Sequence, residues 1–256
     1  MATSQPAATR TAFITGASYG IGAATAAALA RDGFDLVLAA TKLENLATVR
    51  KKLESGNTKV AAIAVDIRSP ASVRKPVDEA IGTAGTLNVL VNNAGVTLRQ
   101  SALDMTPEEW SGVLDTNLTG TFLMSQEMGR HLVASGRPGC IINITSTHGL
   151  VAMAGRMAYG VSKAATIHMT RMLAIEWAAH GIRVNSVAPG RVASGSPSRA
   201  ATSGDPAFLE AALKKIPLQR FANVEDVAEA VSYLASPGAS FVTGHTLVLD
   251  GGLTVQ

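Results

Sequence analysis

Short apolar runs alternate with helix-length segments along almost the whole chain, at residues 11–15, 35–40, 60–65, 87–92, 140–145, 183–188 and 245–249. Strands buried on both faces read as continuous apolar runs, and a helix between consecutive strands returns the chain so that they lie parallel. The alternation predicts one α/β domain over residues 11–256: a single Rossmann-type, doubly wound sheet of about seven parallel strands with helices on both faces. Composition agrees, because 47% of residues are hydrophobic and only 16% charged, which suits a sheet covered on two sides. A chain of 256 residues can build one large core. Right-handed crossovers then carry the C-terminal ends of the strands to a common edge, where ligands bind. Residues 1–10 have neither the basic start nor the apolar segment of a secretory signal and read as a flexible tail.

The first strand is followed by Gly16-Ala-Ser18-Tyr19-Gly20-Ile21-Gly22 and then by the helical run 23–31. Glycine allows a sharp turn and close approach of the backbone to a pyrophosphate, and a helix N-terminus offers free N–H groups with partial positive charge. Further along stands Tyr159-Gly-Val-Ser-Lys163, with Ser146 at the end of an earlier apolar run. A tyrosine and a lysine at i and i+4 share one helix face, so the ammonium draws the phenol toward its ionised form and makes it usable as a proton donor and acceptor.

Together Thr15-Gly16-Ala-Ser-Tyr-Gly20-Ile-Gly22, Asn92-Asn93-Ala94-Gly95, Asn117, Ser146, Tyr159-x-x-x-Lys163 and Pro189-Gly190 resemble, in order and spacing, the classical short-chain dehydrogenase/reductase family. The resemblance runs from about Thr11 to Gly252 and implies hydride transfer between a nicotinamide cofactor and a carbon bearing oxygen. It implies that Tyr159 exchanges the substrate's proton, that Lys163 assists it and holds the nicotinamide ribose, that Ser146 binds the substrate oxygen, and that Asn117 holds a water linking Lys163 to solvent. For the cofactor it implies contacts from Gly16, Ser18, Tyr19, Gly20 and Ile21. Asp66 and Ile67 fall where the family meets adenine, Asn93, Ala94 and Gly95 where it meets the adenosine ribose, and Pro189, Val192 and Ser194 where it meets the carboxamide. Residues 194–216 stand where the family carries a substrate lid, and they are rich in small and turn-forming residues.

Past the second strand, where an acid would accept from the ribose hydroxyls and repel a 2′-phosphate, the chain has Ala40, Thr41 and Lys42. Thr41 can donate to a phosphate and Lys42 can neutralise it, so NADP is expected in preference to NAD. The substrate is expected to be a small secondary alcohol or ketone, with 3-oxoacyl thioesters and sugars or polyols as candidate classes. Arg137 resembles a carrier-protein docking residue, but His180 stands where a second arginine is expected, which weakens that reading. A catalytically idle dinucleotide-binding or scaffold protein is the alternative, and the joint presence of Asn117, Ser146, Tyr159 and Lys163 argues for the enzyme.

Other classes are disfavoured. The net charge is +3, but basic residues are scattered and the densest cluster, Arg50-Lys51-Lys52, reads as a solvated helix end, so no nucleic acid partner is expected. No apolar run approaches about 20 residues, so no membrane span is expected. A lone Cys140 cannot form an internal disulfide, which fits a reducing, cytoplasmic setting. His148, His168 and His180 are too scattered for a metal site, and Ser146 lacks the Gly-x-Ser-x-Gly context of a serine hydrolase. His148, Arg99 and Arg191 are the polar candidates beside the substrate, and Met153 and Met157 read as pocket wall or core. Segments 117–132 and 159–179 carry more apolar residues than one sheet face can bury, among them Phe122, Met172 and Ile175. Pairing of these helices and of the last strand across two-fold axes predicts a homotetramer.

Overall fold

Seven strands form one parallel sheet in the order β3-β2-β1-β4-β5-β6-β7 in the computed structural model, which describes residues 10–54, 56, 58–193 and 206–256. The strands are β1 (Arg10–Thr15), β2 (Phe34–Ala40), β3 (Val60–Ala64), β4 (Val89–Asn92), β5 (Gly139–Ile144), β6 (Ile182–Pro189) and β7 (Thr246–Leu249). The helices between them are α1 (Gly20–Arg31), α2 (Ala47–Glu54), α3 (Pro70–Ala84), α4 (Pro107–Leu114), α5 (Gly120–Ser135), α6 (Met157–Trp177), α7 (Pro206–Leu213) and α8 (Val224–Ala235). The expected tail over 1–9, Ser194 and the first part of the expected lid, 194–205, lie outside the described residues.

Alternation along each strand sends side chains to two cores. Leu36 and Leu38 of β2 join Leu29, Ile142 and Val231 on the face covered by α1 and α8. Val37 and Ala39 join Phe13, Leu90, Met124 and Ile141 on the face covered by α3, α5 and α6. Both faces are therefore dry, which is why the strands carry apolar residues at nearly every position.

Two expectations need correction. Arg10, assigned to the tail, opens β1: its Nη2 donates to the Asp32 carbonyl at 3.1 Å, and its guanidinium lies 4.1 Å over the Phe34 ring. The helix expected over 117–132 begins instead as a π-turn, Asp115–Thr119, joining α4 to α5. A capping box starts α8: Asn223 Oδ1 accepts from the Asp226 N–H at 2.7 Å, and Asp226 Oδ2 accepts from the Asn223 N–H at 2.8 Å.

The strand order reverses between β1 and β4. A crevice opens at such a switch point, because the loops beyond the two strands diverge to opposite sides of the sheet.

Candidate active site

The glycine turn sits at this crevice and is held by the end of β4. Gly16 has φ +64, and a Cβ there would meet Ala94 Cα at 2.9 Å, so a side chain is excluded both by conformation and by space. Asn93 latches the turn, its Nδ2 donating to the Gly16 carbonyl at 2.8 Å and the Thr15 carbonyl at 3.1 Å. Thr15 Oγ1 in turn accepts from the N–H groups of Asn93 and Ala94, each at 3.0 Å. Asn92 ties the neighbouring strand, donating to Asn143 Oδ1 and Ser125 Oγ, each at 2.9 Å.

A cleft of about 660 Å³ runs from this turn across the sheet edge. Of the sequence-predicted residues, Gly16, Ser18, Tyr19, Gly20, Ile21, Thr41, Asp66, Ile67, Asn93, Ala94, Gly95, Ser146, Tyr159, Lys163 and Pro189 line it. Three others do not. Lys42 is exposed beside the cleft and opens the short 3-10 turn Leu43–Leu46, Val192 is buried and bridges to Ala222, and Asn117 is buried behind the cleft wall. The lining also includes Asn45, Arg68, Thr97 and Thr116, which the motif spacing does not single out.

Arg68 changes the reading of Asp66. Its Nε and Nη2 donate to Asp66 Oδ1 and Oδ2 at 2.9 and 2.6 Å, and its backbone N–H adds a third bond at 3.1 Å. The guanidinium holds the Asp66 carboxyl below the usual carboxylate range, so the acid at the adenine end of the cleft is already charge-paired. The fork geometry of an arginine on a carboxylate two residues away depends on how the loop turns, and only the folded backbone reveals it.

The far end of the cleft carries the reactive groups. Ser146 Oγ caps the 3-10 turn Thr147–Gly149, accepting from the His148 N–H at 3.2 Å. Tyr159 and Lys163 occupy successive turns of α6, and Lys163 Nζ lies 5.8 Å from the Tyr159 ring centroid. Lys163 is buried and donates to the Ile144 carbonyl at 2.8 Å. Loss of hydration brings its ammonium down to about 8.

Asn117 is held rather than displayed. Its Oδ1 accepts from the Val96 N–H at 2.8 Å and its Nδ2 donates to the Val96 carbonyl at 2.9 Å, so the amide pairs with both backbone groups of one residue. The same Nδ2 meets Ser162 Oγ at 3.0 Å, which donates to the Tyr159 carbonyl at 2.8 Å. Gly95 permits the approach: a Cβ there would lie 3.1 Å from Asn117 Oδ1 and 3.6 Å from Lys163 Nζ. A mid-helix asparagine is otherwise disfavoured, and the π-turn that aims it inward explains its place.

Of the three polar candidates, His148 is drawn into the site, its Nδ1 3.2 Å from Ser146 Oγ and its ring edge-on to Tyr159 with centroids 5.9 Å apart. Arg99 is exposed and Arg191 half-buried, neither in the cleft lining. Met153 and Met157 are both about half exposed, so neither is core; Met153 Sδ lies 3.1 Å from His148 Nε2.

A dinucleotide fits the cleft by an observation independent of motif. The first turn of α1 has no acidic residue and its N-cap, Tyr19, makes no side-chain cap, so its N–H groups are left for an anion. Among the described residues, no three His, Cys, Asp or Glu side chains gather closely enough for a metal ion. No described helix is long and apolar enough to cross a membrane.

Residues 16–254 match a family model described as enoyl-(acyl carrier protein) reductase. The chain is 36% identical over 244 residues to the glucose 1-dehydrogenase of Gluconobacter oxydans, covering 95% of this chain and 91% of that protein. It is 35% identical over 243 residues to the 3-oxoacyl-[acyl-carrier-protein] reductase of Thermotoga maritima, covering 95% of this chain and 97% of the other. Its fold superposes with a TM-score of 0.92 on the crystal structure of a gluconate 5-dehydrogenase from Burkholderia cenocepacia in complex with NADP and tartrate, at 33% identity and 96% coverage of each chain. The likeness extends through the glycine turn, the sheet order and the tyrosine–lysine helix alike, so the chain belongs to the classical short-chain dehydrogenase/reductase family and is an NAD(P)-dependent oxidoreductase of alcohol and carbonyl groups.

Proposed function

We propose that the protein transfers hydride between NADP(H) and a secondary alcohol or ketone, with Tyr159 exchanging the proton at the substrate oxygen. The observation that carries this reading is the single cleft that joins the uncapped N-terminus of α1 to Ser146, Tyr159 and Lys163. When bound, the nicotinamide supplies the hydride chemistry. The residues do the rest. In the reductive direction the Tyr159 hydroxyl gives its proton to the carbonyl oxygen, and in the oxidative direction the phenolate takes it back. The Lys163 ammonium attracts the phenolate, and Ser146 Oγ donates to the oxygen as negative charge develops there. Asn117 fixes Val96 and, through Ser162, the Tyr159 carbonyl, and so sets the cleft wall against the first turn of α6.

Three features favour NADP over NAD. No acid stands at the tip of β2, Thr41 lines the cleft there, and the acid that does line the adenine end, Asp66, is paired with Arg68. The Burkholderia relative was crystallised with NADP. Lys42 lies outside the lining and acts, in this reading, as an exposed counter-charge beside it. Sugars, polyols and 3-oxoacyl thioesters are the substrate classes the relatives suggest, and a screen of ketones, sugars and acyl thioesters with both cofactors tests the proposal. The expected result is a higher kcat/KM with NADP(H), moved toward NAD in Thr41→Asp by repulsion of the 2′-phosphate. Equal or greater efficiency with NAD in the parent protein overturns the preference.

The assembly we propose is a homotetramer. Met124, Met128 and Leu173 are buried against the sheet, whereas Phe122, Met172 and Ile175 remain on the outer faces of α5 and α6, Ile175 being 83% exposed. Phe241, next to β7, is fully exposed. Two separate apolar faces of this kind suit two dyads. Light scattering at micromolar concentration checks the reading, since a mass near one 26.3 kDa subunit rules it out.

A further inference from the structure

We infer that Arg68 is the residue that selects a cofactor carrying a 2′-phosphate, because its guanidinium both cancels the Asp66 carboxylate and keeps N–H groups in reserve for that phosphate. This rests on the proposed preference for NADP(H) and names the side chain behind it.

The argument starts from charge. A phosphate monoester carries about −1.5 to −2 at neutral pH, so a site that prefers it must hold a cation there and no uncompensated acid. Among the described residues lining the cleft, only Lys163 and Arg68 are cations and only Asp66 is an acid. Lys163 is committed to the reactive end, where it is buried and donates to the Ile144 carbonyl. The polar side chains near the glycine turn and the tip of β2, those of Ser18, Tyr19, Thr41 and Asn45, are neutral. Arg68 is the cation left for the adenosine half.

Strand register places it beside the ribose. β2 and β3 are neighbours, with Ala40 paired to Ala64, and the Val65 N–H donates to the Ala40 carbonyl at 2.8 Å. The two strands therefore leave the sheet side by side, about 5 Å apart, and Thr41 beyond one borders the same opening as Asp66 and Arg68 beyond the other. The ribose hydroxyls of a dinucleotide are met just past the second strand. A long side chain rooted on the adjacent loop can reach them.

The ion pair fixes which donors remain. Arg68 Nε and Nη2 grip the two Asp66 oxygens at 2.9 and 2.6 Å, a grip along one edge of the guanidinium that leaves Nη1 on the other side. Nη1 makes no hydrogen bond to any described residue, and the side chain is 58% exposed, so those N–H groups are open to a ligand. The further acid that acts on Arg68, Asp115, lies outside the lining. An unpaired Asp66 would repel the phosphate. Paired, it repels nothing, and the arginine that silences it still has two N–H groups to donate.

The test is calorimetric titration of the full-length protein with adenosine 2′,5′-bisphosphate and with adenosine 5′-monophosphate. The parent is expected to bind the bisphosphate more tightly. Arg68→Gln is expected to weaken the bisphosphate roughly 10-fold, the loss of one charge-assisted hydrogen bond at an exposed site, and the monophosphate less than about threefold. Arg68→Lys keeps the charge and is expected to recover most of the difference, and Lys42→Ala to cost less than Arg68→Gln. Equal weakening of both nucleotides in Arg68→Gln would mean that the arginine only holds its loop, and it overturns the inference. So does a lysine variant as indifferent to the 2′-phosphate as the glutamine variant, or a larger loss in Lys42→Ala. The ratio of kcat/KM with NADPH to that with NADH is expected to follow the same order. A parent that binds both nucleotides equally overturns the NADP reading and the role of Arg68 together, whereas a preference that survives Arg68→Gln overturns the role of Arg68 alone. Absence of hydride transfer in the parent would count against the proposed reaction, and the titrations would still decide what Arg68 does.

Discussion

Tyr159→Phe is expected to lower kcat by about 10²–10⁴-fold while the affinity for NADP(H) changes by no more than about twofold. The substitution removes one oxygen and keeps the ring, so the edge-on contact with His148 and the 5.8 Å approach of Lys163 Nζ are preserved. What disappears is the group that carries the proton to and from the substrate. Single-turnover kinetics measured beside cofactor titration separate the two effects. Near-parental turnover in a reaction limited by chemistry would remove Tyr159 from the proposed role.

Lys163→Met is expected to do the opposite to function and to stability. Without the ammonium, turnover and cofactor affinity should both fall, turnover by at least about 10²-fold. Yet the side chain is buried, and burial depresses its folded-state value to about 8 from an ordinary 10.5. A base held below its unfolded value makes the folded state bind fewer protons between those two pH values. Stability of the parent therefore rises as pH climbs from about 8 to 10.5, and the full penalty, roughly 3 kcal/mol, is present below that window. Methionine of similar length removes the penalty but leaves the Ile144 carbonyl without its donor, which costs about 1–2 kcal/mol. The expected net effect is a gain of about 1–2 kcal/mol at pH 7 that reverses to a loss of about 1–2 kcal/mol above pH 10.5. Urea unfolding at several pH values checks it, and parallel stability profiles for the two proteins would show that the ammonium carries no such burden. A residue that lowers stability where it is needed for chemistry is the usual mark of a functional site.

Most of the fold was legible because its signals are local. An apolar run such as 35–40 can satisfy its side chains only between two covered faces, and the glycines at 16, 20 and 22 permit a turn that other residues would block. Strand ends were misjudged by one or two residues, since the last ladder bond depends on the neighbouring strand rather than on the residue itself. Residue 10 shows this: an arginine at a chain end reads as solvated tail, but the Phe34 ring and the Asp32 carbonyl from the next unit hold it in β1.

The sequence by itself determined the sheet, the single domain, the family and the pairing of Tyr159 with Lys163, because each follows from backbone preference or from spacing along one helix. Only the tertiary structure decided where side chains at the ends of elements turn. It placed Lys42 outside the cleft lining and Arg68 on Asp66, turned Asn117 inward on a π-turn to hold Val96, and brought His148 against both Ser146 and Tyr159. The reason is physical. Backbone conformation is governed by near neighbours in the chain, whereas the direction of a polar side chain is set by whichever donors, acceptors and charges packing brings within about 3 Å, and those come from residues far apart in sequence.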